Sequence, residues 1–131
     1  MTDTFKLMLA QLNPTVGAIA ANVARAKQAW ANAKAAGADM VALTEMFVTG
    51  YQTQDLILKP AFVSAAIAAI DALAIDCADG PALGIGGPVR QGGKLYNGYY
   101  VLEGGRVHAR VLKHHLPNDA VFDEKRVFAS A

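Results

Sequence analysis

The sequence predicts one α/β domain built on a mixed β-sheet. Three observations lead to this prediction: a strand, helix, strand order in the first third of the chain, a second helix followed by a glycine-rich strand, and strands separated by glycine turns in the second half. The chain has 131 residues, 53% of them hydrophobic, which is enough for one domain with its own core. Because no repeat, linker or block of charge divides it, residues 1–131 are assigned to a single domain.

The first third of the chain predicts a βαβ unit. Residues 5–12 form an expected strand that is apolar on both faces, so we place it in the centre of the sheet. From residue 16 to residue 33 apolar side chains recur every three or four positions, with Asn22 among the polar residues between them, which predicts an amphipathic helix closed by Gly37. A second strand over residues 40–43 completes the unit.

The rest of the chain predicts a second helix and a hairpin. Apolar side chains at helical spacing run from Phe62 to Cys77. Residues 82–87 form an expected strand whose glycines predict close packing against its backbone, and Pro88 ends it. Strands are then expected at 95–102 and 107–112, each preceded by a glycine turn, as an antiparallel hairpin at an edge of the sheet.

Composition and charge exclude several classes of function. A net charge of +1 without a basic run gives no case for nucleic acid binding. No stretch approaches the roughly 20 apolar residues of a membrane span, and the N-terminus does not resemble a signal peptide. The single cysteine, Cys77, provides neither a disulfide nor a zinc motif, and its place on an apolar stripe favours a small buried side chain. We therefore expect a cytoplasmic protein that binds no metal, nucleic acid or membrane.

Two charged residues stand where predicted strands end. Glu45 follows the second strand within Thr44-Glu45-Met46-Phe47, at the sheet edge where ligands collect in open α/β folds. Lys113 follows the last strand of the hairpin, so the two side chains can meet if the strands share one sheet. Such a pair can serve as general base and oxyanion stabiliser in acyl transfer. A surface glutamate and a solvated lysine are the simpler alternatives.

Several motifs together resemble the carbon-nitrogen hydrolase, or nitrilase, superfamily across essentially the whole chain. They are Thr44-Glu45-Met46-Phe47, Gly50-Tyr51, Lys94-Leu95-Tyr96-Asn97, Lys113 with Leu116-Pro117-Asn118, and the run from Phe122 to Phe128. Within that superfamily, the opening Gln11–Gly17, Asp55-Leu56 and the Phe122–Phe128 run resemble the glutaminase domains of bacterial glutamine-dependent NAD synthetases. Motifs that occur in order along a chain are more specific than any one of them.

The resemblance implies a four-layer αββα sandwich, of which this chain is the N-terminal half, and a Glu, Lys, Cys triad. Glu45 matches the general base and Lys113 the residue that stabilises the oxyanion. The nucleophilic cysteine is expected after Lys113, and Cys77 precedes it within a helix pattern. We therefore expect a partial domain, truncated before the nucleophile, inactive in isolation and without the synthetase domain.

Three further residues receive roles from the resemblance. Tyr51 matches a residue of the substrate pocket, although packing in a turn is an alternative. Asp119 stands where relatives have a tyrosine that contacts the substrate glutamine, which predicts a weakened pocket. Glu124 resembles an acidic residue near the catalytic lysine, and a surface ion pair with Lys125 or Arg126 is the alternative.

The implied function is hydrolysis of L-glutamine to release ammonia for the amidation of deamido-NAD. ATP, Mg²⁺ and deamido-NAD are then expected in the synthetase domain, no cofactor in this chain, and the second half of the domain as a partner within a homo-oligomer. Two alternatives remain open: another carbon-nitrogen hydrolase, such as an amidase, nitrilase or carbamoylase, or a non-catalytic fragment that acts by association.

Overall fold

A computed structural model describes residues 3–117 and 124–131. The strands are β1 (Leu7–Leu9), β2 (Met40–Ala42), β3 (Ala82–Gln91), β4 (Lys94–Glu103) and β5 (Arg106–Leu112), the helices are α1 (Ile19–Ala35) and α2 (Pro60–Asp76), and two short 3₁₀ turns span Gln54–Leu58 and Glu124–Arg126. The strands form one sheet in the order β1-β2-β3-β4-β5. β1, β2 and β3 are parallel, and β4 and β5 are antiparallel neighbours, which confirms the predicted mixed α/β sheet.

Both helices pack on the same face of this sheet. The buried core joins α1 and α2 to alternate residues of the strands, among them Val41, Leu83, Ile85 and Tyr100. The intervening strand residues therefore point to the opposite face, which carries no helix among the described elements. That face holds the largest exposed apolar side chains of the strands, which are Leu7, Leu9 and Val111. No helix of residues 3–117 and 124–131 has the length and apolar character of a membrane span.

The position of β1 corrects the expectation of a central strand. Among the described residues, β1 pairs with β2 alone and forms an edge of the sheet. Met8 contacts the helix-covered core, whereas Leu7 and Leu9 on the other face are 50% and 68% exposed. Apolar residues on both faces of a strand indicate that other apolar groups can pack on both faces. They do not specify the strand's place in the sheet.

The start of α1 also differs from the sequence-based expectation, because Asn22 is fully buried. Its amide nitrogen donates to the carbonyls of Thr15 and Val48 at 2.8 and 3.0 Å, and its oxygen accepts the N–H of Thr15 at 2.8 Å. These bonds satisfy a polar group that would be costly to bury alone. Asn22 thereby ties the loop after β2 to the helix.

The hairpin of β4 and β5 is confirmed, and β3 is longer than expected. β3 continues through Pro88 to Gln91, paired with β4 along its whole length. A proline is tolerated there because, among the described residues, β2 and the loop after it donate and accept backbone hydrogen bonds along that edge of β3 only as far as Gly86, so Pro88 needs no N–H on it.

Close packing at the glycines of β3 is confirmed most clearly at Gly86. A Cβ atom at this position would lie 2.7 Å from Cα of Glu45 and would also overlap the backbone nitrogen of Met46. Both contacts are with backbone atoms, which cannot rotate away. Gly86 therefore allows the loop that carries Glu45 to lie directly on β3.

We expect Gly86→Ala to lower the free energy of unfolding by roughly 2 to 3 kcal/mol, because the added methyl group must displace the loop backbone. Gly87→Ala is the matched control, since the nearest atom to a Cβ at Gly87 is the Cδ1 end of the Ile70 side chain, at 2.7 Å, and no backbone atom is among its nearest contacts. Urea unfolding followed by Trp30 fluorescence measures the free energy of unfolding of both variants. Equal losses in the two variants would contradict the proposed role of Gly86.

Candidate active site

The backbone of β3 holds Glu45 in place. The Leu43 N–H donates to the carbonyl of Gly84 at 2.8 Å, Gly86 N–H to the carbonyl of Thr44 at 3.2 Å, and Val48 N–H to the carbonyl of Gly86 at 3.2 Å. Through these bonds the chain after β2 stays paired with β3 beyond the end of β2. Glu45 is thus fixed at the carboxyl end of β2 by main-chain bonds on both sides of it.

Lys113 lies at the same rim, directly after β5. Its backbone N–H donates to the carbonyl of Asn97 at 2.9 Å, which orients the residue from β4. Its Nζ lies 2.5 Å from Oε1 of Glu45 and 3.3 Å from Oε1 of Glu124. The fold therefore brings together Glu45 and Lys113, which are 68 residues apart in the chain.

Glu124 lies inside the site, and the alternative of a surface ion pair is wrong. The residue is 2% exposed, and its ion-pair partner among the described residues is Lys113. Its backbone N–H donates to the carbonyl of Pro117 at 3.1 Å. Arg126 instead binds Asp55, with 2.6 Å between Nη1 and Oδ1.

Burial and a second carboxylate change the acidity of Glu124. Loss of hydration raises the pKa of its carboxyl group to about 7, and the negative charge of nearby Glu45 contributes in the same direction. The ammonium group of Lys113 acts in the opposite sense, because a positive charge favours the ionised carboxylate. Proton exchange at Glu124 is therefore expected near neutral pH.

Asn97 lies in the site, although the sequence analysis assigned it no role. It is 2% exposed on β4, and its Nδ2 donates to Oε1 of Glu45 at 2.6 Å and to Oε2 of Glu124 at 3.5 Å. The sequence showed Asn97 only as the end of the Lys94–Asn97 motif. Its one local signal is a polar side chain within an otherwise apolar and aromatic strand, a position that requires a hydrogen-bond partner when it is buried.

The other residues singled out from the sequence are placed as follows. Tyr51 is half-buried, with its ring centroid 6.0 Å from Nζ of Lys113. Asp119 lies outside the described residues. Cys77 is buried in the core beside α2, where burial, and to a lesser extent Asp76, raises the pKa of its thiol to about 11. A thiol in that environment stays protonated at neutral pH and is a poor nucleophile.

A cavity of about 260 Å³ opens beside the charged cluster. Its lining residues are Glu45, Asn97, Gly98, Tyr99, Val111 and Lys113. The hydroxyl of Tyr99 donates to the carbonyl of Leu43 at 2.8 Å, which holds this wall against the end of β2. Within residues 3–117 and 124–131, no three His, Cys, Asp or Glu side chains cluster as metal ligands would. The ionisable groups that line the cavity, Glu45 and Lys113, can supply acid-base and electrostatic chemistry.

The fold and the site together define an α/β protein with a carboxylate-lysine centre suited to acyl transfer. The family model of carbon-nitrogen hydrolases matches residues 6–130, and the chain belongs to that family.

Two curated relatives are glutamine-dependent NAD(+) synthetases. The protein from Rhodobacter capsulatus is 64% identical over 98% of this chain and 23% of its own length, and the protein from Synechocystis sp. is 39% identical over 97% and 24%. The chain thus spans about a quarter of the length of these relatives.

Solved structures show the same fold. A glutamine-dependent NAD(+) synthetase from Cytophaga hutchinsonii superposes with a TM-score of 0.91 at 30% identity, over 98% of this chain and 22% of that one. An amidase from Nesterenkonia sp. has a TM-score of 0.82 at 22% identity, over 97% of this chain and 48% of its own, and shows the fold alone. The expected nitrilase-like α/β architecture is confirmed by these similarities.

We expect Glu124→Gln to change how stability depends on pH. A carboxyl group whose pKa rises on folding contributes stability that is complete below its unfolded pKa of about 4.5 and is lost as the pH rises to about 7. The neutral amide removes this loss, so the variant should gain about 1 to 3 kcal/mol relative to the parent protein between pH 4.5 and pH 8.

Urea unfolding at several pH values measures the effect, and Glu103→Gln, on the exposed end of β4, is the control that should parallel the parent protein. A constant difference between Glu124→Gln and the parent across this pH range would contradict the assigned acidity.

Proposed function

We propose that this chain is the N-terminal part of the glutaminase domain of a glutamine-dependent NAD synthetase. The observation that carries the proposal is the contact of 2.5 Å between Lys113 and Glu45 at the rim of the sheet. The 64% identical synthetase of Rhodobacter capsulatus supports the choice of branch. The proposed reaction is hydrolysis of the side-chain amide of L-glutamine, which supplies ammonia for the amidation of deamido-NAD.

In this proposal Glu45 moves the proton and Lys113 stabilises the charge. A cysteine thiol loses its proton to the carboxylate of Glu45, and the sulfur attacks the amide carbon. The ammonium group of Lys113 stabilises the negative charge that develops on the carbonyl oxygen. Glu45 then gives its proton to the departing ammonia, and water, activated by the same carboxylate, hydrolyses the thioester to glutamate.

The nucleophile in this proposal is a cysteine outside residues 1–131. The buried position of Cys77 in the helix-sheet core and the raised pKa of its thiol support this choice. The chain alone would then be inactive, and its partner would be the remainder of the domain. The exposed apolar side chains on the helix-free face of the sheet are compatible with such packing.

The same proposal assigns binding partners to the site and to the complete enzyme. Tyr51, beside Lys113, forms part of the glutamine pocket. Asp119 replaces a tyrosine that contacts the substrate in relatives, as the resemblance implies, and this exchange weakens glutamine binding. ATP, Mg²⁺ and deamido-NAD bind a synthetase domain outside this chain, and the complete enzyme is a cytoplasmic homo-oligomer.

A general amidase, nitrilase or carbamoylase is the second candidate. The amidase of Nesterenkonia sp. shares the fold, but its 22% identity gives it less support.

We expect Lys113→Ala, in the full-length synthetase of the proposal, to reduce glutamine-dependent NAD synthesis by at least about 100-fold, because the developing oxyanion loses its cation. Ammonia-dependent NAD synthesis should persist, since free ammonia bypasses the glutaminase site. Both rates are measured as NAD formed from deamido-NAD and ATP.

Lys94→Ala is the control, because Lys94 is an exposed lysine at the β3–β4 turn, and both of its activities should equal those of the parent protein. Loss of both activities in a folded Lys113→Ala protein would contradict the assigned role. Absence of glutamine-dependent synthesis in the parent protein, combined with hydrolysis of simple amides, would favour the second candidate.

A further inference from the structure

The side-chain amide of Asn97 lies between the two carboxylates of the site. Its Nδ2 donates to Oε1 of Glu45 at 2.6 Å and, over a longer distance of 3.5 Å, to Oε2 of Glu124. The backbone carbonyl of the same residue accepts the N–H of Lys113. A single uncharged residue, 2% exposed, therefore contacts all three charged residues of the site.

These contacts close a ring of hydrogen bonds. Lys113 binds Oε1 of Glu45 and Oε1 of Glu124, and Asn97 binds Oε1 of Glu45 and Oε2 of Glu124. Both donors thus converge on the same oxygen of Glu45. The second oxygen of Glu45, Oε2, receives no hydrogen bond from residues 3–117 and 124–131.

The chemistry of an amide suits this position. Its NH₂ group must face the two carboxylates, because the amide oxygen would be repelled by both. As a neutral donor, it orients Glu45 without adding a second positive charge, which would favour the ionised carboxylate and weaken it as a base. An acidic side chain in its place would add a third negative charge around one lysine.

We propose that Asn97 is a positioning residue that selects Oε2 of Glu45 as the oxygen that accepts the proton. Asn97 and Lys113 together hold Oε1, so the carboxylate cannot rotate to exchange its two oxygens. Oε2 then takes the proton of the attacking thiol and returns it to the departing ammonia. This inference rests on the proposed glutaminase function and adds to it a residue that prepares the base.

The test is Asn97→Asp in the full-length synthetase of the proposal, an exchange of similar size that removes the NH₂ donor. We expect kcat for glutamine hydrolysis to fall at least about 100-fold, because a misoriented base loses most of its effect. KM should stay within about threefold, and the acid limb of the kcat-pH profile should move to higher pH. Ammonia-dependent NAD synthesis should remain, which shows that the synthetase domain is intact, and an unchanged circular dichroism spectrum shows that the domain with Asn97 is folded.

Tyr100→Phe is the matched control, because it removes one buried hydrogen bond, to the carbonyl of Pro88, from the helix-facing side of the same strand. Tyr100→Phe should lower the free energy of unfolding without shifting the kcat-pH profile. Asn97→Ala replaces Asn97→Asp if the latter does not fold, and the same expected changes in kcat, KM and pH profile apply to Asn97→Ala.

A folded Asn97 variant whose kcat and pH profile equal those of Tyr100→Phe would overturn this inference and leave the proposed function standing. A parent protein that hydrolyses no glutamine would overturn both.

Discussion

The site depends on one ammonium group placed between two carboxylates. Nζ of Lys113 lies 2.5 Å from Glu45 and 3.3 Å from Glu124, and Glu124 is almost completely buried. Two carboxylates this close to one another repel, and burial adds the cost of lost hydration. The lysine offsets both effects, and the neutral amide of Asn97 completes the cluster without altering its charge. Removal of Lys113 would leave two neighbouring carboxylates, one of them buried, without the cation that offsets their repulsion.

The sheet explains how this cluster forms. β2 and β5 deliver Glu45 and Lys113 to the same rim, and β4, which pairs with both β3 and β5, supplies Asn97 beside them. The absence of a side chain at Gly86 permits the loop with Glu45 to rest on β3. The geometry of the active groups is therefore a consequence of backbone pairing. Rigid elements of this kind hold groups more accurately than loops do.

The two faces of the sheet differ in what covers them and in which reactive side chains they expose. One face is covered by α1 and α2 and contains Cys77, which is thereby withdrawn from nucleophilic chemistry. The other carries no helix among the described residues, and the cavity beside Glu45 is lined by Tyr99 and Val111, whose side chains point to it.

The sequence by itself determined the mixed α/β class, both helices, the hairpin and the family. These follow from local periodicity, from turn chemistry and from motifs in a fixed order. It also placed Glu45 and Lys113 at strand ends, because such ends can be read locally. Only the tertiary structure decided that β1 lies at an edge, that Glu124 is buried and that Asn97 joins the two glutamates. Burial and side-chain partnership depend on residues distant in the chain, and no local pattern encodes them.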